Sequence, residues 1–247
     1  MGQKLKNPPD LIKLIAFVLL LSTNAGAYSQ PRSRQERQFK PPPVISFGVH
    51  LDPVISWFST DASTIKNEGA RPGFNFGISY NQYFGPNYSI STGLNLINAG
   101  GRLVSNSPTR FELIKHPDRM VDVDSGESIV YRIQYLSVPL GLKLQTKQIG
   151  YYTFFADLGL DPKILVGGKA DIPSLDIKGE IATSELKKIN MAYHIIAGLE
   201  YGLGGNTAVV VGLGFENNFL DITKDLENQP VDKVSHKLLS FRFGVIF

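Results

Sequence analysis

The 247-residue sequence contains no cysteine, which excludes a disulfide framework, a thiolate metal site and the modified cysteine of a lipoprotein. Long hydrophobic runs are equally scarce: beyond the N-terminal segment no stretch approaches the roughly 20 consecutive apolar residues that a spanning helix requires. The net charge of +3 is too slight to imply nucleic acid. Catalytic signatures are also missing. There is no G-x-S-x-G elbow and no H-E-x-x-H pair, and His50, His116, His194 and His236 are scattered along the chain. No catalytic, cofactor-binding or metal-ligating residue is assigned, and the chain reads as a non-enzyme.

What is present begins at the N terminus. Lys4, Lys6 and Lys13 surround a short apolar run from Leu11 to Leu21, and Ala25-Gly26-Ala27 supplies a small-residue cleavage site. Residues 1–27 therefore read as a secretory signal peptide. Residues 28–43 are polar, basic and rich in proline, with Arg32, Arg34, Arg37 and Lys40, and read as a disordered periplasmic lead-in. Residues 44–247 remain for one domain.

That domain alternates. From His236 to Phe247 the chain places Leu239, Phe241, Phe243, Val245 and Phe247 on one side and Leu238, Ser240, Arg242, Gly244 and Ile246 on the other. A strand apolar on one face and semi-polar with glycine on the other suits a membrane β-barrel, apolar outward, better than a lipocalin-like soluble barrel, which buries its apolar face. The same alternation recurs in 45–58, 73–83, 88–104, 129–145, 151–166, 189–202 and 207–220. Pro53 marks a bulge or edge irregularity in the first strand. In the fourth, Tyr131, Ile133 and Tyr135 read as outward, Arg132 and Gln134 as inward, and the parity changes at Val138-Pro139, as at a β-bulge.

Short turns at Gly85-Pro86-Asn87, 147–150 and Gly204-Gly205-Asn206 alternate with long connections at 105–128, 167–188 and 221–235. Eight antiparallel strands in an up-and-down meander follow, with the short turns periplasmic and the long loops outside. Aromatic girdles are expected at Tyr83, Tyr88, Tyr151, Tyr152, Tyr201 and Phe247 below, and at Trp57, Phe58, Tyr131, Tyr193 and Phe219 above.

An eight-stranded barrel is only wide enough to be filled by its own side chains. The inward charges Lys143, Asp157, Glu200 and Arg242, with Glu216 and Arg132 higher, are thus expected to form a plug of ion pairs; a proton or ion path is the functional alternative. Asp118, Asp122, Asp124 and Glu127, in the loop after His116, read as a solvated acidic loop rather than a calcium site. Val166-Gly-Gly-Lys169 reads as a loop hinge. Phe247, with Phe243 and Phe241, is expected to present the assembly signal of the terminal strand to the barrel-assembly machinery.

Tyr131-Arg-Ile-Gln-Tyr-Leu-Ser-Val-Pro-Leu-Gly-Leu-Lys143, followed by Gly150-Tyr-Tyr-Thr-Phe-Phe155, resembles a strand pair of the PorT-like outer-membrane β-barrel proteins of Bacteroidota, a porin-family type of domain. Ala197-Gly-Leu-Glu-Tyr-Gly-Leu-Gly-Gly-Asn206 resembles their sixth strand and glycine turn. The resemblance implies an outer-membrane location and, for one branch, service in type IX secretion. The expected function is a structural or interaction role in the outer membrane, with the alternatives of an accessory secretion subunit or, with less support, a small-solute pore. The expected partners are outer-membrane lipid, the barrel-assembly machinery and secretion-system subunits.

Overall fold

A computed structural model describes residues 44–61, 65–112, 120–224 and 233–247; the signal peptide and the lead-in read from the sequence lie outside them. The strands are β1 (Ile45–Thr60), β2 (Ile65–Gly69), β3 (Arg71–Gly85), β4 (Tyr88–Ser105), β5 (Thr109–Glu112), β6 (Met120–Val123), β7 (Ser128–Ser137), β8 (Leu140–Gln145), β9 (Tyr152–Ile172), β10 (Ile177–Ile181), β11 (Ile189–Gly204), β12 (Thr207–Asn218) and β13 (Val234–Ile246). Antiparallel pairing runs β1, β3, β4, then β7 and β8 end to end, then β9, β11, β12 and β13, and β13 pairs back onto β1. The ring has eight walls and is closed, an all-β up-and-down barrel.

Alternation dictates what each wall shows to the outside. Phe47, Val49 and Leu51 of β1, Phe74, Phe76 and Ile78 of β3, Leu158 and Leu160 of β9, and Phe241 and Phe243 of β13 are all exposed. An apolar surface that encircles the ring costs roughly 25 cal/mol for every Å² left in water, and a bilayer removes that cost. At the short-turn end, Gly204 and Gly205 have positive φ, 121° and 63°, and turn β11 into β12 where a side chain would be strained. The last residue closes the seam: Phe247 N–H donates to Phe47 O at 2.8 Å, and Phe47 N–H to Phe247 O at 3.0 Å.

The fourth wall departs from the sequence reading. Parity is continuous through Val138-Pro139, so Arg132, Gln134, Leu140 and Leu142 face out, while Tyr131, Ile133, Tyr135 and Ser137 face in. The change of parity lies across the ladder in β9, where Gln134 pairs with Gly167 but Tyr135 with Leu165. Val166 is the extra residue of that bulge, which is made in the Val166-Gly-Gly-Lys169 segment read as a loop hinge. Pro53 produces no bulge. The register from β1 to β3 runs unbroken through it, although the ladder to β13 lapses between His50 and Val54.

The long connections also build more structure than expected. β5 and β6 form a hairpin within 105–128, β2 pairs with β4, and β9 runs on to Ile172 and turns back through β10.

The core sits in the outer half of the lumen. Val54, Phe58, Ile97, Leu103, Ile129, Tyr131, Ile133, Tyr135 and Leu238 point in from the strands, and Val123, Ala182, Leu186 and Ile222 pack onto them from the connections. Phe58 and Tyr131 therefore belong to this core, 1% and 5% exposed, and not to the upper girdle; their rings meet edge to face at 5.8 Å. A smaller apolar cluster of Phe155, Ile196, Ala208, Val210 and Ile246 lines the short-turn end of the β9–β13 side.

Candidate functional site

Between the two apolar clusters lies a polar band, and alternation puts it there: Lys143, Asp157, Glu200 and Arg242 are each flanked in sequence by outward apolar residues. Lys143 of β8 reaches across to Glu200 of β11 and lies 4.8 Å from the Phe155 ring centroid; Gln145 Nε2 donates to the other Glu200 oxygen at 2.9 Å. Asp157 accepts a hydrogen bond from Ser91 Oγ at 2.8 Å and lies 3.6 Å from His194 Nε2, whose Nδ1 is 2.9 Å from Asp161 Oδ2. Arg242 Nη2 lies 3.3 Å from Asp52 Oδ2. The same oxygen takes Asn75 Nδ2 at 3.1 Å and His50 Nδ1 at 2.9 Å. Glu216 pairs with Lys163, which also reaches Asn218 Oδ1 at 3.3 Å.

Of the six charges expected inside, Lys143, Asp157, Glu200, Glu216 and Arg242 are inward, and only Lys143 and Glu200 pair with each other. Arg132 is corrected: it faces outward, its side chain 47% exposed, and bonds Asp171 through Nε at 3.0 Å. The true partners of Arg242, Glu216 and Asp157 include Asp52, Lys163, His194 and Ser91. A parity signal for the first two existed: Asp52 is opposite in phase to outward Phe47, Val49 and Leu51, and Lys163 shares the phase of Asp157.

Inward glycines seat these rings. A Cβ on Gly77 would lie 2.5 Å from His50 Nε2 and 2.1 Å from Asn95 Oδ1, and one on Gly159 would lie 2.7 Å from His194 Cε1. The narrow lumen admits two imidazoles because the facing strands lack side chains there. A cavity in the polar band is lined by His50, Asn75, Asp157, Asp161, His194 and Arg242, among others. Ser91 bonds Asp157 and not an imidazole, so this set does not form the serine–histidine pair of a catalytic triad. Among the described residues, no group of three His, Asp or Glu side chains is placed to hold a metal ion. Asp122 pairs with Arg110 at 2.9 Å; His116 and Asp118 lie outside the described residues.

At the outer end, hydrogen bonds link the described connections to one another. Asp221 accepts from Lys187 Nζ at 2.7 Å, from Val234 N–H at 2.9 Å and from Thr223 Oγ1 at 3.0 Å. Burial pushes the Asp221 carboxyl up, and these bonds more than offset it, holding the group below the usual carboxylate range. Buried Glu185 accepts the Glu112 N–H at 2.7 Å, and its backbone O accepts from Lys224 N–H at 2.9 Å. The 182–188 and 221–224 segments and the β5–β6 hairpin are thereby linked.

Aromatic residues mark the membrane levels. Tyr88, Tyr151, Tyr152, Tyr201 and Phe247 are exposed at the short-turn end, and Tyr193 and Phe219 toward the long-loop end. Phe241, Phe243 and Phe247 all face out.

A closed eight-walled ring, apolar without and lined by paired charges and a buried core within, defines a transmembrane β-barrel of the outer-membrane class. The chain belongs to the outer membrane protein beta-barrel domain family, whose model matches residues 13–224, and membership places it in the cell outer membrane. No curated protein matches it. Among solved structures, Neisserial surface protein A is 11% identical with a TM-score of 0.46, the match covering 81% of this chain and 95% of that one. OprG from Pseudomonas aeruginosa is 11% identical with a TM-score of 0.44, covering 83% and 96%. Ail, the attachment invasion locus protein of Yersinia pestis, is 14% identical with a TM-score of 0.37, covering 81% and 97%.

Proposed function

We propose that this protein is a non-enzymatic structural or interaction component of the outer membrane, exported by the signal peptide at 1–27, that acts through its outer surface and not by conduction. The observation that carries the reading is the lumen: ion pairs cross the polar band, and Phe58, Tyr131, Ile133 and Tyr135 occupy the outer half with at most 5% exposure. Lipid surrounds the barrel, and the assembly machinery engages the terminal strand bearing Phe241, Phe243 and Phe247. Planar-bilayer recording on the refolded barrel tests the proposal. Silence across ±100 mV is expected, and steady unitary currents that scale with salt would overturn it in favour of a small-solute pore.

A second reading, an accessory secretion subunit of the PorT-like type, is favoured by the resemblance of 131–143 and 150–155. Here the barrel docks a larger partner through its loops or basic lead-in. A mild-detergent pull-down from native outer membranes separates the two, since stoichiometric secretion subunits support the second and a solitary barrel the first.

A further inference from the structure

Arg132 lies outside the lumen, and its neighbours on that face are basic. It pairs directly across the ladder with Lys169 of β9 and, on its other side, with Gly100 of β4. Arg71 of β3 fills the space that Gly100 leaves: a Cβ on that glycine would meet Arg71 Cδ at 3.2 Å. Its guanidinium lies close enough to Arg132 and Asp171 to feel both charges. Arg71, Arg132 and Lys169 thus form one lateral row across four walls, with Gly100 as the β4 position, and Arg102 projects outward two residues along β4 from Gly100.

Counter-charge on this face is short. Asp171 pairs with Arg132, and its second oxygen accepts Gly179 N–H at 2.6 Å. Glu68 lies 4.0 Å from Arg102 and takes the Ser128 hydroxyl. Among the described residues, four cations face two carboxylates, both already engaged. Like charges directly opposite on adjacent strands oppose pairing, and Arg132 beside Lys169 is such a pair. The row sits one polar step, the Gln134–Asn98 hydrogen bond at 2.6 Å, beyond the apolar belt of Leu96, Leu140 and Leu142. It is therefore at headgroup height on the long-loop side.

We infer that Arg71, Arg132, Lys169 and Arg102 form a docking site on the barrel wall for the phosphate of an outer-leaflet glycolipid. Arginine forks match phosphate oxygens in paired hydrogen bonds, the acyl chains lie on the belt directly below, and the bound phosphate supplies the anion that the row lacks. The inference rests on the barrel standing in the outer membrane with its long loops outward, and not on the absence of conduction.

The test uses the full barrel in nanodiscs containing equal amounts of lipid A and enzymatically dephosphorylated lipid A, with retained lipid read by native mass spectrometry. Wild type is expected to retain the phosphorylated form preferentially. Each basic group removed should lower that preference about fivefold, so Arg71→Gln/Arg132→Gln/Lys169→Gln should abolish it while keeping the heat-modifiable gel shift of a folded barrel. Lys169→Gln alone, with no ion pair of its own among the described residues, should show the single-charge effect. Equal retention of the two lipids by wild type, or undiminished preference in the folded triple variant, would overturn the site. Currents in the bilayer experiment would bear on the closed lumen and leave this result standing.

Discussion

Replacing Lys143 by Met keeps the length of the side chain and removes its charge, leaving the Glu200 carboxylate in the lumen with Gln145 Nε2, at 2.9 Å, as its remaining side-chain donor. Both members of the pair are well shielded, 6% and 8% exposed, so solvent does not replace the lost ammonium. Breaking one side of a buried pair costs about 3–5 kcal/mol. The Gln145 bond places this case near the lower end, about 3 kcal/mol. Removing both charges, as in Lys143→Met/Glu200→Met, should return to within about 1 kcal/mol of wild type, because no orphaned charge remains.

Urea unfolding in phospholipid vesicles measures this, with Trp57, the single tryptophan, on the outward face of β1 as the fluorophore. At a slope of about 1–3 kcal/mol per molar, the single variant should lower the midpoint by about 1–3 M. A single variant indistinguishable from wild type would refute the reasoning, as would a double variant no more stable than the single one.

Gly77→Ala should cost about 1–3 kcal/mol, since its Cβ would lie 2.5 Å from His50 Nε2, and His50 is held by Asp52. Gly69→Ala, which meets nothing within 4 Å, serves as the control in the same unfolding assay. The outer closure should be insensitive to mild acid. A carboxyl whose folded pKa is depressed contributes stability that is fully present above its unfolded value, about 3.9, and is lost as pH falls through the folded value. Limited proteolysis of the wild-type loops should therefore stay slow at pH 5 and accelerate only below about pH 4, whereas Asp221→Asn should be cut rapidly already at pH 7. Equal cleavage of the two at pH 7 would remove Asp221 from that role.

The membrane-facing surface was legible in the sequence because lipid imposes a single demand on it. Phe74-Asn-Phe-Gly-Ile-Ser-Tyr80 cannot be read with its phases exchanged, since Asn75 and Gly77 make no lipid surface. In Tyr131-Arg-Ile-Gln-Tyr135 the phase is opposite to the one alternation suggests, for a physical reason. Its apolar residues face a core completed by Val123, Leu186 and Ile222 from distant connections, and Arg132 and Gln134 lie above the belt, where polar side chains are solvated. A phase rule taken from the membrane fails beyond the membrane. The bulge was misplaced because a proline signals a missing donor, whereas the extra residue, Val166, sits beside glycines on the partner strand. Pair identity was hidden for another reason: parity states which charges share the lumen, but the shear of the barrel decides which of them meet.

The seam gives the Arg242–Asp52 contact a task that the other luminal pairs do not have. β1 and β13 meet across 190 residues of chain, and a slip of two residues between them would keep every apolar side chain facing lipid, so hydrophobicity is blind to that error. The charges are not. In the observed register, with His50 opposite Gly244 and Val54 opposite Ser240, Arg242 falls opposite Asp52; two residues away, a fully buried carboxylate would face Ser240 or Gly244 instead. The ion pair thus works as a gauge at the joint between the first and last walls, separating the correct cylinder from neighbours of the same outward appearance.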